Sequence, residues 1–351
     1  MNLLNKTISN IEKIDYSLSK ETQARLDNLT KPTGSLGRLE EFAKQFVEIT
    51  RIKNPVLNKK VIFTLAGDHG IADESVSAYP KEVTTQMVYN FLNGGAGINV
   101  LSKHAGAKVI VADLGVASDF KNADRLKNKK VNYGTKSFLK QPAMTQEEAV
   151  KSIEYGIELF EEEYKNGIDI VGIGEMGIGN TTPSSAITAI ITGKSVESVT
   201  GRGSGINDSS FEKKVKLIKD AIKFHNPKSD DAIDILHKVG GYEIGGMTGI
   251  ILAAASKRVP IVVDGFISGA SLLLAYLLSN KIKDYIFASH CSVESGHKVI
   301  LDYLGLKPIL DLNLRLGEGT GAALAFLIIE AGLKILNEMA TFESAGVSNK
   351  S

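Results

Sequence analysis

A chain of 351 residues, 43% hydrophobic and 23% charged, is long enough for one large domain with an appendage or for two domains. Its 41 basic and 40 acidic residues leave a formal net charge of +1, which argues against a nucleic-acid or anionic-membrane surface, since either needs a basic excess. The single cysteine, Cys291, excludes an internal disulfide framework, and residues 1–10 have no continuous apolar core, so a cytoplasmic protein without a signal peptide is expected.

Residues 11–26 and 38–52 carry apolar side chains at helical spacing and predict two N-terminal helices. The link between them, Lys31-Pro32-Thr33-Gly34-Ser35-Leu36-Gly37, is rich in turn formers. From about residue 59, short β-branched runs alternate with helical segments. Runs at 61–65, 108–112, 168–173, 261–263 and 285–288 are apolar with little alternation, as in strands buried on both faces. Thr145 and Glu148 form a capping box ahead of an amphipathic helix that reaches Tyr164. Thr182 followed by Pro183 predicts a helix with proline at its first position. The stretch 321–340 is apolar but interrupted by Glu330, Lys334 and Glu338, so it predicts a buried helix rather than a membrane span. This alternation predicts an α/β fold: a doubly wound, mainly parallel sheet with helices on both faces, plus a small helical domain from the two chain ends. The expected domains are 1–58 with 322–351, and 59–321.

The five runs lead into polar or acidic residues: Asp68 and His69, Asp113, Glu175, Asp264, and Ser289 with His290. Ligands of open α/β sheets bind beyond the carboxyl ends of the strands, so these ends suggest a site; acids and glycines also serve as ordinary turns and caps. In Gly174-Glu175-Met176-Gly177-Ile178-Gly179-Asn180-Thr181-Thr182-Pro183, a strand passes through glycines into a helix. That is a way to present backbone N–H groups to an anion, and no Walker-type Gly-Lys-Ser/Thr is present. Gly201-Arg202-Gly203-Ser204-Gly205 sets an arginine among glycines, either as a phosphate fork or as a mobile surface loop, and Lys213 and Lys214 follow. Glu318 stands between Gly317 and Gly319 before the last apolar helix. It is either a carboxylate favoured by the helix dipole or a general base in a partly dry pocket. Asp68, His69, Asp264, His290 and His297 show no recognised metal-ligand spacing. A metal-dependent hydrolase using Asp68, His69 and Asp264 is the alternative enzyme reading, and a non-catalytic nucleotide sensor is a third.

Segments 31–40, 66–70, 80–87, 174–183, 201–208, 240–248, 262–270, 289–297 and 314–323 occur in family order over nearly the whole chain. Together they resemble the nicotinate-nucleotide–dimethylbenzimidazole phosphoribosyltransferase family of the cobalamin lower-ligand pathway. The resemblance implies transfer of ribose 5-phosphate from nicotinate mononucleotide to 5,6-dimethylbenzimidazole or a related base, giving α-ribazole 5′-phosphate and nicotinate. It implies a homodimer, no cofactor, and Glu318 as the catalytic base. It implies a phosphate and ribose site made by Glu175, Gly177, Gly179, Asn180, Thr181, Gly201, Arg202, Gly203, Ser204 and Lys214. It further implies a base pocket made by Tyr79, Pro80, Gln86, Met87 and Leu316. The segment Val262-Val263-Asp264-Gly265 departs from the diphosphate-sugar motif of ordinary phosphoribosyltransferases, because Gly265 replaces the second acid. That departure speaks against a donor carrying a magnesium-bound diphosphate, so no metal is expected.

Overall fold

The computed structural model describes residues 2–348. Helices α1 (Leu3–Ser9), α2 (Ser19–Asp27) and α3 (Arg38–Thr50) form its N-terminal part. The single helix expected over 11–26 is corrected: residues 11–15 are not helical, and a 3-10 turn at Tyr16–Leu18 precedes α2. Asp15 makes the break, because its carboxylate accepts from the Ser17 N–H at 2.8 Å and caps a new start. Ile11 and Ile14 are nonetheless buried, so their spacing reported burial and not helix.

Six strands form one sheet: β1 (Lys60–Gly67), β2 (Ala107–Gly115), β3 (Lys127–Asn128), β4 (Ile170–Met176), β5 (Ile261–Val263) and β6 (Ile286–Ala288). Their order is β3-β2-β1-β4-β5-β6, and every pairing is parallel. The connections carry α4 (Glu82–Asn93), α5 (Gly97–Ala105), α6 (Gln146–Tyr164), α7 (Thr181–Thr192), α8 (Val196–Val199), α9 (Asp208–His225), α10 (Ala232–Val239), α11 (Tyr242–Ser256) and α12 (Phe266–Leu278), and α13 (Ser295–Leu304) follows β6. After β6 and α13 come α14 (Thr320–Glu338) and the short α15 (Phe342–Ala345). The capping box of α6 is present in full: the Glu148 N–H donates to Thr145 Oγ1 at 3.1 Å, and the Thr145 N–H donates to Glu148 Oε2 at 2.9 Å. Helix α7 corrects its expected start, since it begins at Thr181 and places Pro183 third. Proline is tolerated there because the first turn of a helix has no intrahelical acceptor for its N–H groups.

Side chains alternate across β1, so the sheet is covered on both faces. Ile62 and Thr64 lie on the α14 side, and Leu65 packs on the α11 side. Glycine sets the tightest crossing: a Cβ on Gly156 of α6 would overlap the Gly246 carbonyl of α11. Helix α14 is, among the described residues, the one long and apolar enough to cross a membrane. Its early turns instead lie on the sheet, with Ala322 and Phe326 against Gly172, and its later turns meet α3 at Leu39. The boundary expected at 321/322 therefore falls inside this helix. Residues 1 and 349–351 of the expected small domain lie outside the described residues.

Candidate active site

The strand order reverses between β1 and β4, and a cleft of about 520 Å³ opens at the C-terminal edge of the sheet. Its walls come from the loop after β1, the ends of β4, β5 and β6, the starts of α7 and α12, and the loop before α14.

Gly317, Glu318 and Gly319 carry φ of +85°, +64° and +95°, three left-handed residues in succession. The glycines adopt this freely, whereas Glu318 adopts it at a cost and needs support. Thr64 and Asp264 supply that support. The Thr64 hydroxyl donates to the Glu318 carbonyl at 2.9 Å. The Gly319 N–H donates to Asp264 Oδ2 at 3.1 Å, and Gly321 and Ala322 donate to Asp264 Oδ1 at 2.7 and 3.1 Å. Asp264 thus caps α14 and fixes the loop ahead of it. Gly174 of β4 completes the seat, because a Cβ there would overlap the Glu318 peptide.

The Glu318 carboxylate is buried and lines the cleft. Its Oε2 accepts from the Ile98 N–H at 3.0 Å, while Oε1 has no hydrogen-bond partner among the described residues. Burial raises its pKa above the usual carboxylate value, and the Ile98 N–H partly opposes this. Glu175, near the end of β4, is pushed up to about 8, first by burial and then by the carboxylates of Glu243, Asp264 and Glu318, against a hydrogen bond from the Asn180 amide. It is therefore mostly neutral at pH 7, which leaves Glu318 with less like charge beside it.

Across the cleft, α7 opens with the glycine loop at its N-terminus. Lys214 of α9 is fully buried beneath it and donates to Thr181 Oγ1 at 2.7 Å and to the Gly201 carbonyl at 3.4 Å. Burial pulls its pKa down to about 8. The Gly203 N–H donates to Glu294 Oε1 at 3.0 Å, and Ser204 Oγ accepts from the Ala78 N–H at 2.8 Å, tying the loop to the one after β1. A glycine-rich helix N-terminus above a buried ammonium suits a phosphate.

Of the residues named from sequence, Glu175, Gly177, Gly179, Asn180, Thr181, Gly203, Ser204 and Glu318 line the cleft, as do Tyr79, Met87 and Leu316. Tyr79 and Leu316 are 57% and 59% exposed, so both present apolar surface to an incoming ring. Gly201 and Lys214 stand behind the wall. The Arg202 side chain is exposed; it pairs with Asp208 and lies over the Phe211 ring. Pro80 and Gln86 are exposed and off the wall. Asp68, His69 and Asp264 are not brought together as one set of ligands. Asp68 Oδ2 accepts from the Ala117 N–H at 2.8 Å, His69 pairs with Glu243 at 2.7 Å, and Asp264 caps α14. Among the described residues, no three His, Cys, Asp or Glu side chains are grouped to hold a metal. Sequence reasoning did not single out Ser77, Ser268, Ser292 or Glu294, all on the wall. The polar ends of β5 and β6 were the available signal, but they do not say which later side chain turns inward.

An anion loop at the switch point and a buried carboxylate beside it fit a sugar-phosphate transferase. A family profile described as phosphoribosyltransferase matches residues 11–347, which sets the class of the enzyme. The chain is 56% identical over 349 residues to the nicotinate-nucleotide–dimethylbenzimidazole phosphoribosyltransferase of Citrifermentans bemidjiense, covering 99% of this chain and 100% of that one. It is 57% identical over 348 residues to the enzyme of the same name from Geobacter sulfurreducens, covering 99% of each. The crystal structure of the Thermus thermophilus enzyme of that name superposes with a TM-score of 0.91 at 39% identity, over 96% of this chain and 100% of that one. The chain belongs to the nicotinate-nucleotide–dimethylbenzimidazole phosphoribosyltransferase family.

Proposed function

We propose that the protein transfers ribose 5-phosphate from nicotinate mononucleotide to 5,6-dimethylbenzimidazole or a related base, with Glu318 as general base. The observation that carries this reading is the half-engaged Glu318 carboxylate: Oε2 held by Ile98, and Oε1 facing the cleft with no partner among the described residues, in an otherwise buried residue. The nucleotide phosphate rests on Gly177, Gly179 and Thr181 at the start of α7, with Gly203 and Ser204 beside it and Lys214 beneath. Glu175 and Asn180 face the ribose. Arg202, paired with Asp208, holds the shape of its loop together with Gly201. Tyr79, Met87 and Leu316 flank the flat base, and Pro80 and Gln86 shape the segment that carries Tyr79 and Met87.

The chemistry asks little more of the protein. The pyridinium nitrogen of the donor departs neutral, so no acid is needed to release nicotinate. The incoming base attacks through one ring nitrogen, and its second nitrogen gives a proton to Glu318 Oε1. A β-nucleotide giving an α-product requires attack from the face opposite the leaving group, hence one in-line displacement with oxocarbenium character. Holding two rings on opposite sides of the ribose then supplies much of the rate. The donor carries no diphosphate, so no metal is called for. The enzyme works as a cytoplasmic homodimer, in which α1–α3 and the later turns of α14 form the small unit. Nicotinate release from nicotinate mononucleotide with dimethylbenzimidazole tests the reaction. Glu318→Gln is expected to fold and to lose roughly 10²- to 10⁴-fold in kcat, the scale of one acid–base group. Near-native turnover by that variant would remove Glu318 from the role.

A further inference from the structure

We infer that His290 binds a hydroxyl group of the ribose through the bare lone pair of its Nε2. This rests on the proposed reaction for the identity of the nucleotide; the state of the imidazole is fixed by the fold alone.

Ser289 and His290 follow directly on β6. Ser289 Oγ lies 2.9 Å from the main-chain carbonyl of Asp264 and 2.9 Å from His290 Nδ1. A hydroxyl has one proton, and a carbonyl oxygen can only accept, so the Ser289 proton goes to Asp264. Ser289 must then accept from His290, which places a proton on Nδ1. The Asp264 carboxylate, 3.7 Å from the same nitrogen, favours it there. Burial drives the His290 pKa down to about 4, so the ring is neutral and Nε2 carries no proton. The nearest other imidazole, His297, is oriented differently: its Nδ1 accepts the Ser292 N–H at 3.0 Å.

His290 is 2% exposed, lines the cleft beside Gly265, and has no hydrogen-bond partner at Nε2 among the described residues. Nε2 borders the open cleft, so a ligand donor can reach it and take the place of water there. The lone pair also selects its ligand. It repels a phosphate or carboxylate oxygen and accepts only from an O–H or N–H. The substrates offer the N–H of the base and the 2′ and 3′ hydroxyls of the ribose. The N–H must surrender its proton, and a carboxylate with raised pKa does that better than an imidazole of depressed pKa. The hydroxyls remain, and they need only an acceptor.

The test compares nicotinate mononucleotide with its 2′-deoxy and 3′-deoxy analogues as donors to dimethylbenzimidazole, using the full-length protein. Wild type is expected to disfavour one analogue roughly tenfold or more in kcat/KM. His290→Asn keeps an N–H directed at Ser289 but has no atom where Nε2 was. It should raise KM for nicotinate mononucleotide roughly tenfold, change kcat less, and lose the discrimination. His290→Gln, which can place its amide oxygen near the Nε2 position, should recover part of both. Equal use of both deoxy analogues by wild type overturns the inference without any variant. So does a His290→Asn enzyme of normal melting temperature that still discriminates, or one whose KM rises for the base instead. Wild type that releases no nicotinate overturns the proposed reaction itself, a separate outcome.

Discussion

Lys214 is an ammonium enclosed by protein, with one hydroxyl and one carbonyl as its partners. Burial lowers its pKa to about 8, so it is charged below that pH and neutral above it. A phosphate on the α7 loop would gain from the charged form only. The KM for the nucleotide is therefore expected to rise as pH increases through about 8, while the KM for the neutral base stays level. Lys214→Met should show a high nucleotide KM at every pH and a smaller rise, the remainder coming from Glu175, which ionises over the same range. A parallel trend in wild type and variant would mean that the lysine only packs. Single residues differed in how legible they were. Glu318 could be picked out because it stands alone among glycines before an apolar helix. Lys214 entered the phosphate site only through the family resemblance, and only the fold shows that it is buried under Thr181. His290 was legible as a polar residue at a strand end but Glu294 was not, because it reaches the wall only after the pairing of β6 with β5, a long-range event that local sequence does not encode.

Elements were read best where burial and local preference agreed. The five apolar runs became strands because a parallel sheet covered on both faces needs uninterrupted apolar residues. Strand β3 has two exposed residues and no apolar run, so nothing announced it. The helix expected over 11–26 failed because Asp15 offers a competing local hydrogen bond. Glycine at the contact between β4 and the Glu318 loop was visible in sequence, but its partner was not. That contact carries a prediction. A methyl group at Gly174 would overlap the Glu318 peptide, and backbone cannot swing aside as a side chain can. Gly174→Ala is expected to cost about 1–3 kcal/mol of stability, the usual range for overpacking. It should also cut kcat roughly 10²-fold by displacing the base, a loss typical of misplacement by about 1 Å. Thermal melting and steady-state rates on the same preparation check it; a stable variant with unchanged kcat would show that the loop tolerates movement.

At the scale of the whole molecule, the sheet order and the cleft at its switch point followed from how distant strands pair, and the sequence carried only the strand ends that meet there. The N-terminal loop raises the question of assembly. Lys31 and Glu40 form a buried ion pair at 2.8 Å, and Glu40 also accepts from the Leu36 N–H at 3.0 Å. Burying two charges is expensive, and an ordinary connector has no need of it. Between these anchors, Pro32, Thr33, Gly34 and Ser35 are all exposed, so the loop is fixed from beneath and presented outward. A shaped, outward loop of this kind serves contacts beyond its own helices. Around the same N-terminal region, Tyr16, Ile52 and Val56 are 60%, 54% and 59% exposed, apolar surface that a second copy could cover. A twofold dimer would cover such a surface with one self-complementary patch. A homodimer is therefore expected at micromolar concentration, and sedimentation run alongside nicotinate release decides it. A fully active species sedimenting at the single-chain mass of 37.7 kDa would refute the dimer and leave loop 31–40 as a rigid turn on a monomer.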